Sequence, residues 1–126
     1  MRTVWMMNKV ENLISKWGGF KFSSGGTTGS DYLQFQKEFR SVLSTIAKKA
    51  GYKIHIFCKN HYMYSAMLEE VETGAIAYVS IPDVRFWQDG WANKVLYRQA
   101  RDANDWTGLE NHYCCLDELG DCLVRL

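Results

Sequence analysis

Residues 51–82 read GYKIHIFCKNHYMYSAMLEEVETGAIAYVSIP, and the period of their apolar positions decides the fold. Tyr52, Ile54 and Ile56 alternate with Lys53 and His55, the two-residue period of a strand with one buried face. Lys59-Asn60 predicts a tight turn. Tyr62, Tyr64, Ala66 and Leu68 then alternate with Met63, Ser65 and Met67, giving a second strand. Glu72-Thr73-Gly74 is the next turn, and 75–81 is a third strand. Pro82 ends it, because proline has no N–H to give to a ladder.

Upstream of Gly51 the period is helical. Asp31 is the expected N-cap of a helix whose apolar stripe runs through Tyr32, Phe35, Phe39, Val42, Leu43, Ile46 and Ala50. Gly51 stops it as the residue that takes a left-handed conformation. An earlier helix is expected to start at Asn8, with Glu11 completing a capping box, and to bury Val10, Leu13, Ile14 and Trp17. Gly18 and Gly19 stop that helix. Residues 18–30, GGFKFSSGGTTGS, predict a flexible loop. Downstream, Trp87-Gln88-Asp89-Gly90 reads as a turn and 93–99 as a fourth strand. Residues 101–112 are polar and turn-rich, and 116–126 predict a short helix with Leu116, Leu119, Leu123 and Leu126 inward. The order ααββββα predicts an α+β domain over 1–126, a four-stranded antiparallel sheet with helices packed on one face.

Composition agrees with one globular domain. The 126 residues are 47% apolar and 23% charged, which excludes a disordered chain or a fibrous rod. No apolar run approaches the length of a membrane span, and residues 1–12 lack the apolar core of a secretory signal. A cytoplasmic location is expected. The net charge of +1 hides an asymmetry: residues 1–60 hold ten basic and three acidic residues, and 61–126 hold five and eleven. Two faces of opposite potential, or a mixed surface if the halves interleave, both follow from such a split.

Enzyme signatures are absent. The sequence has no GxSxG, P-loop, HExxH or dinucleotide fingerprint, and SSGGTTGS lacks the lysine that would reach a phosphate. Cys58 and His61 lie near one turn without a third, orienting group. For metal, Cys58-x-x-His61 with His112, Cys114 and Cys122 approaches zinc spacing, but no CxxC is present and Cys114-Cys115 is not a usual zinc pair. No metal and no cofactor are expected, and the four cysteines are expected to be reduced thiols.

The segment from Ile81 to Leu119 is dense in aromatics beside charges. Phe86, Trp87, Trp91, Tyr97, Trp106 and Tyr113 sit among Asp83, Arg85, Lys94, Arg98, Arg101, Asp102 and Asp105. Asp83, Arg85, Arg98 and Asp105 are expected to form a paired network holding the segment on the sheet. The aromatics serve either as a second core or as a recognition surface, since Trp, Tyr and Arg dominate binding hot spots.

His61-Tyr62-x-Tyr64-Ser65, Ser80-Ile81-x-Asp83-Val84-Arg85, Trp91, Lys94-Val95-Leu96-Tyr97-Arg98, Asp105-Trp106-Thr107-Gly108, Asn111 and Leu116-Asp117 form a distinctive combination over residues 61–119. In these residues the chain resembles short proteins carried by phages and conjugative elements of Gram-positive bacteria, a group that includes anti-CRISPR inhibitors of Cas9-type nucleases. The resemblance implies a non-enzymatic protein that acts in the bacterial host cell by binding a defence effector. Glu69, Glu70, Glu72, Asp102, Asp105 and Glu110, with Trp87 and Trp91, are the residues expected to meet such a protein partner, the acids facing its cationic nucleic-acid channel. The alternative is a nucleic-acid-binding accessory protein, with Lys37, Arg40, Lys48, Lys49, Lys53 and Lys59 on phosphates.

Overall fold

A computed structural model describes residues 4–18, 29–59, 63–84, 87, 94–106 and 110–126, with side chains from Lys9 onward. Helix α1 spans Val4–Trp17 and α2 spans Ser30–Lys49. Five strands follow: β1 Tyr52–Lys59, β2 Met63–Glu70, β3 Ile76–Pro82, β4 Val95–Ala100 and β5 His112–Cys114. They form one antiparallel sheet in the order β1-β2-β3-β4-β5. A 3-10 turn, Leu116–Glu118, leads into α3, Leu119–Arg125.

The α+β class and the antiparallel sheet agree with the sequence reading; the strand count does not. The fifth strand lies in the polar 101–112 region and just beyond it, and its three residues are too short to show a period. The C-terminal helix is also divided, with the 3-10 turn taking its first three residues. Asn8 lies inside α1, which begins at Val4. The N-cap of α2 is Gly29, so Asp31 sits in the first turn, where a carboxylate still favours the helix dipole. Gly51 behaves as expected, with φ 89° and its N–H on the Lys48 carbonyl at 3.1 Å.

The core joins the helices to one face of the sheet. Tyr32, Phe35, Phe39, Leu43 and Ile46 of α2 pack with Tyr64, Ala66, Leu68, Ala77, Val79, Ile81 and Val95. Leu116, Leu119 and Leu123 close it from the C-terminal end. Helix α1 adds Val10, Leu13 and Trp17 and is tied to α2 through Glu38. The Glu38 carboxylate accepts from Lys16 Nζ at 2.9 Å, Trp17 Nε1 at 3.0 Å and Gln34 Nε2 at 2.8 Å. Burial raises this carboxyl, but those three donors outweigh it and hold it below its ordinary value.

Strand β1 departs from simple alternation. Its pairing with β2 shifts register between Ile54 and Ile56, a bulge at His55. Tyr52 and Ile54 face the helices as expected, but beyond the bulge that face passes to Phe57 and Lys59. Ile56 therefore lies on the outer face, paired with Met67, and not in the helix-side core.

Candidate functional site

The strand registers build a second, polar-aromatic layer on the outer face, away from the helices. Tyr78 stands between Met67 and Arg98, and Leu96 stands between Ser80 and Tyr113. Arg98 is 2% exposed and lays its guanidinium over the Tyr78 ring, Cζ 4.6 Å from the centroid. Its Nη1 donates to the Gln99 carbonyl at 3.0 Å, and its Nη2 to the Asp105 carbonyl at 2.6 Å. The Asp105 carboxylate lies 3.7 Å from Nη1 and accepts from the Arg101 N–H at 2.9 Å. Asp102 shapes the same segment from within, accepting the Asn104 N–H at 2.8 Å.

This clamp presents Trp106. Its ring meets Tyr78 edge-on, at 5.8 Å and 89°, and remains 40% exposed. Tyr113 on β5 is 67% exposed. From Tyr78, Tyr113 is two strands over and one rung along, about 12 Å by strand spacing. The Tyr78 hydroxyl is 3.2 Å from Ser65 Oγ, which fixes the ring that the other groups use.

A separate polar network lies on the helix side. Asp83 is fully buried and accepts from the Tyr32 hydroxyl at 2.5 Å, while Tyr64 donates to Tyr32 at 2.6 Å. Lys59 Nζ lies 3.4 Å from the same Asp83 oxygen and 5.2 Å from the centre of the Tyr32 ring. The Tyr32 hydroxyl is pushed far above its ordinary range, by burial first and then by the Asp83 and Tyr64 hydrogen bonds. The expected quartet is thus two networks: Arg98 pairs with Asp105, Asp83 pairs with Lys59, and Arg85 is outside the described residues. Among the described residues no buried side-chain nitrogen or oxygen lacks a partner, so both networks are complete.

The proposed partner-binding residues divide. Trp87 is 3% exposed, packs edge-on against Phe35 at 5.1 Å and donates to the Pro82 carbonyl at 2.8 Å; it is core, not surface. Trp91 lies outside the described residues. Glu69 pairs with Lys53 at 3.2 Å, Glu70 accepts from Thr73 at 2.7 Å, and Asp105 serves Arg98. Glu72, Asp102 and Glu110 are exposed.

The basic set divides as well. Lys37, Arg40 and Lys48 are exposed on α2 at spacings that share one face, and Arg40 lies over Phe57 at 5.2 Å. Lys49 is exposed on a different side of that helix, Lys53 sits on the outer sheet face, and Lys59 is held by Asp83. The Lys53–Glu69 and Lys59–Asp83 pairs join the basic and acidic halves of the chain, so the two charges interleave.

The cysteines do not converge on one ion. Cys58 is exposed on the outer face of β1, and Cys114 lies on the helix side of β5, four strand spacings or about 19 Å away. His61 is outside the described residues. Tyr78 was the residue missing from the sequence reading; its place on the Met67–Arg98 rung is a matter of register, which spacing alone does not reveal.

No protein-family model, curated protein or solved structure matches this chain. No helix among the described residues is long and apolar enough to cross a membrane.

Proposed function

We propose that this chain is a non-enzymatic binding protein of the anti-CRISPR type, which blocks a Cas9-type nuclease by docking through the outer face of its sheet. The observation that carries the reading is the pair of exposed aromatics, Trp106 and Tyr113, on a face stiffened by the buried Arg98 clamp. Aromatic anchors with few rotatable bonds, held in place before contact, bind at low entropic cost. Asp102 and Glu110, exposed beside those aromatics in sequence, favour a cationic partner surface such as the wall of a nucleic-acid channel. Stoichiometric blocking needs complementarity alone and no reacting group.

A second reading rests on the exposed Lys37, Arg40 and Lys48 stripe of α2, which would take phosphates of a nucleic acid. Two assays on the purified protein separate the readings. Inhibition of target cleavage by a Cas9-type nuclease, without salt-sensitive DNA binding by the protein itself, supports the first. Salt-sensitive DNA binding without inhibition supports the second.

A further inference from the structure

The sheet ends on β1, which pairs with β2 on one side and, among the described residues, with no strand on the other. This edge is eight residues long, against three for β5 at the opposite edge. Past the bulge at His55, residues 56–59 pair in unbroken register with Met67, Ala66, Ser65 and Tyr64. In such a ladder every second residue turns its N–H and C=O away from the neighbouring strand, so the run carries a row of outward backbone donors and acceptors.

Helix α2 overhangs that row. The Phe39 ring meets Tyr64 on β2 at 5.2 Å and Phe57 on β1 at 6.1 Å. The next residue, Arg40, sets its guanidinium 5.2 Å from the centre of the Phe57 ring, so this flank of the helix reaches over the edge strand. The other flank faces α1, where Glu38 meets Lys16 and Trp17. Asp31, seven residues before Glu38, shares that flank, so both acids of α2 are turned from the β1 edge. Arg40 is exposed, and the overhang is basic. On the outer side of the same run stand Ile56, half-buried, and Cys58, exposed. The edge is therefore cationic on its helix side and apolar on its outer side.

We propose that residues 56–59 of β1 are a docking edge for an extended acidic segment of a protein partner, which adds to the sheet as a sixth strand. The main chain of the segment takes up the outward N–H and C=O groups, an acidic side chain on its helix side pairs with Arg40, and an apolar one on its outer side covers Ile56. The backbone row selects a peptide over a nucleic acid, whose phosphates would meet Arg40 but leave the N–H and C=O groups of the edge without partners. A second copy of this chain fits less well. Two such edges would bring two basic overhangs together, and the bulge at His55 shortens the run available for self-pairing. The β1 edge lies across the sheet from Tyr113 on β5, so an acidic strand would dock there whatever the aromatic face binds.

The test follows the fluorescence anisotropy of a labelled peptide of alternating glutamate and valine as the full-length chain is added. The controls are a lysine–valine peptide and two N-methylated forms of the glutamate peptide, one methylated on all its glutamates and one on all its valines, each lacking the N–H groups of one edge. The glutamate peptide should bind, less tightly as salt rises, and the lysine peptide should not. One N-methylated form should bind about tenfold more weakly than the other, because only one of them blocks the bonds to β1. Arg40→Glu should weaken binding by about tenfold, whereas Arg101→Glu, an equal change of charge away from this edge, should leave it unchanged. Amide exchange over 56–59 should slow when the peptide is bound. Failure of the glutamate peptide to bind, equal binding by the lysine peptide or by both N-methylated forms, or full binding by an Arg40→Glu chain with a native melting curve would each overturn the proposal. So would a dimer in sedimentation equilibrium whose formation slows exchange over 56–59, which would give the edge to a second copy. Displacement of the peptide by oligothymidylate without slowed exchange over 56–59 would give the overhang to a nucleic acid instead.

Discussion

Arg98 holds Tyr78: a guanidinium that is 2% exposed lies 4.6 Å from the centre of the tyrosine ring on the neighbouring strand. With Trp106 against the ring edge, this relationship turns a polar loop into a fixed surface. The aromatic face is therefore only as firm as one buried cation.

Replacing Arg98 by Ala removes both carbonyl bonds and the guanidinium that lies 3.7 Å from the Asp105 carboxylate. Breaking a buried pair from one side costs about 3–5 kcal/mol. Urea unfolding should show a loss of that order in Arg98→Ala. An unchanged midpoint would mean that the loop stands without its clamp.

The Asp83 network supplies a sharper comparison. Lys59→Met removes the cation that lies 3.4 Å from a fully buried carboxylate and should cost about 3–5 kcal/mol. Adding Asp83→Asn removes the carboxylate charge that Lys59 faced, so the double variant should be more stable than Lys59→Met alone. A double-mutant cycle measures this coupling, and strict additivity would show that Lys59 and Asp83 do not interact.

Alkaline pH should unfold the protein earlier than its acid-range behaviour suggests. Burial raises the Tyr32 and Tyr52 hydroxyls, the nearby Cys122 thiol together with burial takes Tyr97 up to about 12, and burial raises the Cys114 thiol. Each group holds its proton more tightly folded than unfolded. The stability they contribute is whole below the ordinary values of 9.0 for the thiol and 10.0 for the phenols, and is lost as pH climbs beyond them. For buried Tyr32 the slope is about 1.4 kcal/mol per pH unit. Glu38 acts in the opposite range: its lowered carboxyl contributes stability above its ordinary 4.5, which is lost as pH falls through the folded value. Denaturation midpoints across the pH scale should trace a plateau with both shoulders, and a midpoint that is level above pH 10.0 would contradict the burial of these hydroxyls.

Charge reversal on α2 separates the two readings of function. Lys37→Glu with Lys48→Glu alters two exposed positions, where substitutions usually change stability by about 0.5 kcal/mol or less. Nuclease inhibition should be unaffected, whereas reversal of Asp102 and Glu110 to Lys should weaken it, most visibly at low salt. The opposite order of effects would favour the nucleic-acid reading.

The sequence carried the elements further than the site. The change of period at Gly51 marked the passage from α2 to the sheet, and the stripe from Tyr32 to Ile46 is the buried face of α2. The bulge at His55 was invisible because an inserted residue changes partners without changing residue type, and it sent Ile56 outward and Phe57 and Lys59 inward. Trp87 and Trp106 look alike in sequence, each an aromatic among charges. Trp87 packs edge-on against the stacked Phe35 and Phe39 rings and Trp106 rides on Tyr78, a difference set by tertiary packing. The pairing of Arg98 with Asp105 was legible as charge density, while the partner of Asp83 came from β1, far back in the chain.

The central claim is tested most directly by titrating target-DNA cleavage by a purified Cas9-type nuclease with this protein and with a Trp106→Ala, Tyr113→Ala variant. Trp106 and Tyr113 are exposed, and Tyr113 in particular should be replaced with little effect on folding. The account predicts that the native chain abolishes cleavage near equimolar ratio. Loss of two anchors worth about 2 kcal/mol each, about 4 kcal/mol together, should weaken inhibition by about 700-fold while the melting curve stays close to native. Full cleavage in the presence of excess native protein, or equal inhibition by the folded variant, would contradict it.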